Sequence, residues 1–209
     1  MTRWDLVERL HLEETLRAAD PLAPTLCEGW QVRHLAAHLY LRRHQPWRAF
    51  SQGDGSVFAT LAEEAKDPAR YAELLEEFSA PVPRISPMAL ADGPLGPATN
   101  TTEYVIHHED VRRGAGPVPA RTLPGEHSDK LFDAVAQFAR LALRGLEVGV
   151  VLAVPGGRRR VVKRADESVA VVGSPVELAL VVSGRARAAD VEYLGSDAAI
   201  SAFNDRTTP

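Results

Sequence analysis

The chain changes character near residue 145, and that change limits the folds open to it. In the first part apolar residues recur at helical spacing, beginning with Leu6, Val7, Leu10, Leu12 and Leu16. From Val148 they come instead in short β-branched runs, Val148–Val154, Arg160–Lys163 and Val169–Val172. Pro155-Gly156-Gly157 and Ala165-Asp166-Glu167 separate these runs, which reads as a β-meander. The expected fold class is α+β: a helical bundle over residues 1–145 and a small α+β domain over 146–209.

Punctuating residues set the expected elements. A first helix over about 3–20 stops at Pro21 and Pro24. The loop Thr25-Leu26-Cys27-Glu28-Gly29 leads to a second helix from about Trp30 to Phe50, with Pro46 as a kink or the start of a separate turn. A third helix is expected over about 57–79. Pro81, Pro83, Pro87, Gly93, Pro94, Gly96 and Pro97 then mark a long loop of the kind that forms lids or spacers. A fourth helix, about 101–113, follows Asn100 and ends at Arg112-Arg113-Gly114, where basic residues and glycine suit a C-terminus. A fifth is expected over about 128–145. Ser174-Pro175-Val176-Glu177 has an N-cap, proline at N1 and an early glutamate, predicting a helix to about Ser183. A strand near Val191–Tyr193 and a helix from Asp197 to about Phe203 complete the chain.

Composition excludes several functions. A net charge of -4 gives no electrostatic grip on nucleic acid, and Arg158-Arg159-Arg160 reads as a solvated turn or strand end. No apolar run reaches the roughly 18 residues of a membrane span. Met1-Thr2-Arg3-Trp4-Asp5 lacks the apolar core of a signal peptide. Cys27 is the single cysteine, so no intramolecular disulfide framework exists. A cytoplasmic protein is the simplest expectation. Only Lys66, Lys130 and Lys163 among the 24 basic residues are lysines, a bias that fits a GC-rich genome.

Chemistry concentrates in two segments. Glu103 and His107 sit four residues apart and share one face of a helix, and His34 and His38 repeat that spacing upstream. Divalent ions such as zinc favour imidazole nitrogen and carboxylate oxygen, and a catalytic site keeps three protein ligands and one open position. His38, Glu103 and His107 supply such a set from two helices. Asp110 continues the stripe and either orients His107 or ligates directly. His34 and His108 compete for ligand positions. Each residue also has a duller reading: Asn100-x-x-Glu103 fits a capping-box variant, and His38 fits a hydrogen-bonded core histidine. Cys27 precedes a helix, with no evident partner for catalysis, and reads as structural or unreactive. Trp30 and Trp47 read as core or cavity lining, and Gly156-Gly157 as a hairpin turn. No Gly-x-Ser-x-Gly elbow occurs.

The segment Thr25-Leu26-Cys27-Glu28-Gly29-Trp30-Gln31-Val32-Arg33-His34-Leu35-Ala36-Ala37-His38-Leu39 resembles the second-helix signature of the mycothiol-dependent maleylpyruvate isomerase family, which has a DinB-like up-down helical bundle. Glu103-Tyr104-Val105-Ile106-His107-His108-Glu109-Asp110-Val111-Arg112-Arg113 resembles its second signature. Ser174-Pro175-Val176-Glu177-Leu178 and Ser183-Gly184-Arg185 resemble its C-terminal domain. By position, the resemblance implies His38, Glu103 and His107 as ligands of a divalent metal, usually taken as zinc. It also implies an actinobacterial source and the use of mycothiol, a small thiol whose thiolate adds to a conjugated double bond, allows rotation and leaves. Arg185 is the implied holder of the substrate carboxylate. The second signature is closer to a metal-binding branch than to the isomerase itself, so fold and metal transfer while the substrate is not fixed.

The leading expectation is thus a metal-dependent enzyme that uses a mycothiol-like thiol for isomerisation or thiol transfer on a small carboxylate-bearing substrate. A metal-dependent hydrolase would use the same open position for water. A non-catalytic metal-binding stress-response module would need no open position.

Overall fold

Two compact units make up the chain, one of residues 1–100 and 107–117, the other of residues 101–106 and 118–209. A computed structural model describes residues 2–49, 53, 55–82 and 97–207. The first unit is helical: α1 (Trp4–Ala18), α2 (Val32–His44), the single turn α3 (Pro46–Ala49), α4 (Val57–Glu64) and α5 (Pro68–Ser79). The long helix α6 (Pro97–Arg113) contributes residues to both units. Proline 46 therefore begins a separate turn. The end expected at Phe50 and the punctuated loop through 83–96 lie outside the described residues.

The central helix is α2, which packs on α4 and α5. Its Val32, Leu35, Ala36, Ala37, Leu39 and Leu41 are all buried, on nearly every side of the helix. Leu12 and Leu16 of α1 and Leu74, Leu75 and Phe78 of α5 complete this core. Each such leucine contributes about 1.5–3 kcal/mol through burial alone. Tyr71 ties α5 to α1 by donating its hydroxyl to the Leu16 carbonyl at 2.8 Å. The single helix expected over 57–79 is two helices. Asp67 breaks it, because its carboxylate accepts from the amides of Ala69 and Arg70 while Pro68 opens the new helix.

In the second unit a four-stranded sheet has the order β2-β1-β3-β4, from β1 (Gly149–Ala153), β2 (Arg159–Lys163), β3 (Ser168–Val172) and β4 (Glu192–Leu194). It is not the expected meander: β1 and β3 pair in parallel, Val150 opposite Val169. Burial separates the edge strand β2 from the interior. In β1, Val150 and Leu152 are fully buried and the strand sits inside the sheet, whereas β2 begins with exposed arginines and takes an edge. The return from β2 to β3 passes the start of β1, where Gly149 donates to the Glu167 carbonyl at 2.8 Å. A Cβ on Gly149 would lie 2.3 Å from Ser168 Oγ and 3.0 Å from the Ala165 nitrogen, so the crossing needs glycine.

Helix α7 (Gly125–Ala142) packs on β2 and on α8 (Pro175–Val182). Helix α7 lies in the same compact unit as the sheet. Every residue of α8 is buried, and Ser174 caps it by accepting from the Glu177 amide, as its sequence predicts. Gly184, at φ +83°, ends the helix in the left-handed region, and Arg185 N–H closes on the Leu180 carbonyl at 2.8 Å. A last helix, α9 (Asp197–Thr207), buries Phe203 in the same core. No helix among the described residues is long and apolar enough to cross a membrane.

Candidate metal centre

Helix α6 buries four consecutive polar residues, His107, His108, Glu109 and Asp110. Successive helical residues point about 100° apart, so these four side chains meet different neighbours. Burying them is costly unless each finds partners. Glu109 is paired with Arg112 at 2.7 Å and Arg113 at 2.7 Å. The two arginines at the helix end thus neutralise a buried carboxylate as well as suiting a C-terminus. His108 turns toward α1, its Nε2 sharing a hydrogen bond of 2.8 Å with Thr15 Oγ1 and its Nδ1 lying 3.9 Å from Glu8.

His107 faces the other way. Its Nδ1 is 2.8 Å from Asp110 Oδ2, one helical turn on. With Asp110 ionised and so an acceptor, this contact puts the imidazole proton on Nδ1 and leaves Nε2 as the basic nitrogen. The ring of His38 on α2 meets the His107 ring edge-on, with centroids 5.2 Å apart. Trp30 packs against His38 at 5.5 Å and against Phe58 at 5.1 Å, giving the histidine an aromatic wall. Glu103 lies one turn before His107 on the same helix. One ligand atom from each of His38, Glu103 and His107 falls within 4.8 Å of the others. Asn100 lies inside α6 with its Oδ1 accepting from Arg42 at 3.2 Å, so it is not the N-cap of a box with Glu103.

A second group, Cys27, His107 and Asp110, also clusters within 4.8 Å. Cys27 Sγ donates to Asp110 Oδ2 at 3.2 Å, the same oxygen that meets His107. A tetrahedral zinc with bonds of about 2.0–2.3 Å holds its ligand atoms roughly 3.3–3.8 Å apart. The 2.8 Å contact of His107 with Asp110 is shorter than that and is a hydrogen bond. The second group is therefore joined by hydrogen bonds, with Asp110 Oδ2 meeting both His107 Nδ1 and Cys27 Sγ, the arrangement a carboxylate takes when it orients a metal-binding histidine. Two neutral imidazoles and one carboxylate at this spacing fit a divalent ion.

His34 is not part of either group among the described residues. Its Nδ1 accepts from the Gln31 amide at 3.0 Å, while the Gln31 side chain accepts from the His34 amide, closing a capping box at the start of α2. Burial, and then the charge of Arg33, hold its pKa below the ordinary value. Arg185 belongs to the second unit, where its guanidinium donates to the Ser183 carbonyl at 2.6 Å. Cys27 sits beside this cluster, a placement the sequence does not reveal. Its loop is pinned to the end of α6: Leu26 N–H donates to the Asp110 carbonyl at 3.1 Å, and a Cβ on Gly114 would lie 2.1 Å from the Pro24 carbonyl oxygen. Gly114, eighty-odd residues away, was legible as a helix stop but not as the seat of this loop.

A mostly helical N-terminal part followed by a four-stranded sheet with helices makes this an α+β protein, with His38, Glu103 and His107 grouped on two of the helices. Residues 8–112 match the family model of the mycothiol maleylpyruvate isomerase N-terminal domain, and the chain belongs to that family. A crystal structure of the mycothiol-dependent maleylpyruvate isomerase shares the fold over 91% of this chain and 90% of that one, with a TM-score of 0.58 and 18% identity. A crystal structure of a mutant of such an isomerase aligns over the same shares with a TM-score of 0.54 and 16% identity. No curated protein sequence matches the chain.

Proposed function

We propose that the chain is a divalent-metal-dependent enzyme, with zinc as the metal, that uses a mycothiol-like thiol for isomerisation or thiol transfer on a small carboxylate-bearing substrate. The observation that carries this reading is the convergence of His38, Glu103 and His107, with Asp110 setting the tautomer of His107. Family membership supports the thiol. A divalent ion held by the three residues would favour a thiolate over a thiol. The residues' own work is separable from it. His107 presents Nε2 because Asp110 holds its Nδ1–H. Trp30 packs its ring against His38 and is itself backed by Phe58, which limits how the His38 ring can turn. In this reading Arg185 receives the substrate carboxylate, as a guanidinium does by paired hydrogen bonds.

Metal content per purified chain and calorimetry with mycothiol test the proposal. The expected result is about one zinc per chain, and mycothiol binding that is lost when the metal is stripped. His38→Ala, Glu103→Ala and His107→Ala should each lose metal, and Arg185→Ala should weaken turnover of maleylpyruvate or a related acid while keeping the metal. Full metal retention in the His38 or His107 variant would remove the ligand set. A metal-loaded protein that ignores mycothiol yet hydrolyses a generic ester or amide would replace the thiol chemistry with hydrolysis.

A further inference from the structure

Cys27 lies beside the proposed ligands without belonging to them. Its thiol reaches Asp110 Oδ2 at 3.2 Å, and that oxygen also takes His107 Nδ1 at 2.8 Å. The loop that carries the thiol is anchored at several points. Thr25 Oγ1 accepts from the Cys27 amide at 3.2 Å and donates to the Trp30 carbonyl at 2.8 Å. Trp30 N–H closes the turn on the Cys27 carbonyl at 2.9 Å, with Gly29 at φ +74° between them. Leu26 N–H adds a bond to the backbone carbonyl of Asp110 itself, at 3.1 Å. The same short loop therefore holds both the backbone and the side chain of Asp110.

We infer that Cys27 is a positioning residue for His107: its thiol is the outer donor of a chain running Cys27 Sγ–H, Asp110 carboxylate, His107 Nδ1–H. The inference rests on the metal reading of His38, Glu103 and His107. A carboxylate oxygen accepts two donors, and two donors arriving from α6 and from the loop fix the rotation of the carboxylate. A fixed carboxylate fixes the plane of the imidazole and keeps Nε2 aimed at the ion. Serine keeps the donor on a shorter bond, whereas alanine removes it.

Two measurements on the full chain test this. The first is zinc affinity by competition with a chromophoric chelator, for the unsubstituted chain, Cys27→Ala and Cys27→Ser. Removing a partner that orients a metal-binding histidine typically weakens affinity by about 10- to 100-fold, and this donor lies one bond further out. Cys27→Ala should therefore weaken zinc binding roughly 3- to 10-fold, and Cys27→Ser should stay within about twofold. The second is the ¹⁵N spectrum of the His107 ring in metal-stripped protein. The unsubstituted chain and Cys27→Ser should show the Nδ1–H form, and Cys27→Ala should show a mixture with Nε2–H. Thermal unfolding of the stripped proteins confirms that each variant folds. Unchanged zinc affinity and unchanged ring nitrogens in Cys27→Ala overturn the role of Cys27 and leave the metal reading standing. Failure of the unsubstituted chain to bind zinc at all overturns both.

Discussion

Asp110→Asn isolates charge from shape at the heart of the site. Asp110 is fully buried, and one of its oxygens meets both His107 Nδ1 and Cys27 Sγ. Asparagine occupies nearly the same volume and can present its carbonyl oxygen to both donors. What it loses is the negative charge. A hydrogen bond to a charged group contributes about 1.5–3 kcal/mol, against about 0.5–1.5 for a neutral one. The difference, about 1–1.5 kcal/mol, falls on the tautomer and basicity of His107 and corresponds to roughly 5- to 12-fold in metal affinity. Asp110→Ala goes further and strands the His107 N–H in a buried place, adding about 1–3 kcal/mol and bringing the loss into the range of roughly 100-fold. Chelator competition on the purified variants gives both numbers. Zinc affinities that are equal in all three proteins would refute the claim that Asp110 orients His107. An Asn variant as weak as the Ala variant would show that charge, rather than the hydrogen bond, governs the site.

Three further outcomes follow from particular contacts. His108→Ala should keep its metal, because His108 faces Thr15 and Glu8, but it should lose about 1–3 kcal/mol of stability from the stranded Thr15 contact, read by urea unfolding. Gly114→Ala should displace the loop at Pro24 and Thr25 and so weaken both stability and zinc binding, since the new Cβ would lie 2.1 Å from a backbone oxygen; a variant with unchanged Tm and affinity would count against the anchoring role of that loop. His34 is held below its ordinary pKa by burial and by Arg33, among charges that include Glu63 and Lys66. The unfolded chain therefore binds more protons there than the folded one below about pH 6.5, so this contribution is complete above that value and falls as pH drops toward the folded pKa. The stability gap between the unsubstituted chain and His34→Asn should be constant above pH 7 and shrink on acidification, as followed by denaturant titration at several pH values.

The helical periodicity and the switch to β-branched runs were enough to predict an α+β chain with helices first. Boundaries failed where a local signal was outweighed or overlooked. Asp67-Pro68 is a plain helix start inside an apolar period that runs on past it. Asn100 looked like a cap but lies within a helix that begins at Pro97, because Arg42 offers its side chain another partner. The short Val-rich runs do not reveal strand order: β1 fully buries Val150 and Leu152, β3 fully buries Val169 and Val171, and the two lie inside the sheet and pair in parallel, an arrangement the alternation alone does not specify. In the candidate site, the i, i+4 spacing of Glu103 and His107 was legible from the residues, whereas the choice of His38 over His34 came from the family resemblance; the fold groups His38 with them and turns His34 into a cap. Cys27 stayed invisible, since 83 residues separate it from Asp110 and only the folded loop joins them.

The edge strand β2 has a consequence for the protein in concentrated solution. An open strand offers unpaired amides and carbonyls to any neighbouring chain. Here the strand leads with Arg159 and Arg160, both exposed, and ends on Lys163, while Val161 between them is partly open to solvent. Arg158, just before the strand, is drawn down onto Asp133 at 2.5 Å and lies over the Phe132 ring at 5.2 Å, and Arg160 reaches the same aspartate at 3.0 Å. Two copies approaching edge to edge would have to bring these positive charges together and strip them of water. The arginine run, read in the sequence as a solvated turn or strand end, does open an edge strand, and replacing it with threonine or valine should raise self-association, as followed by light scattering.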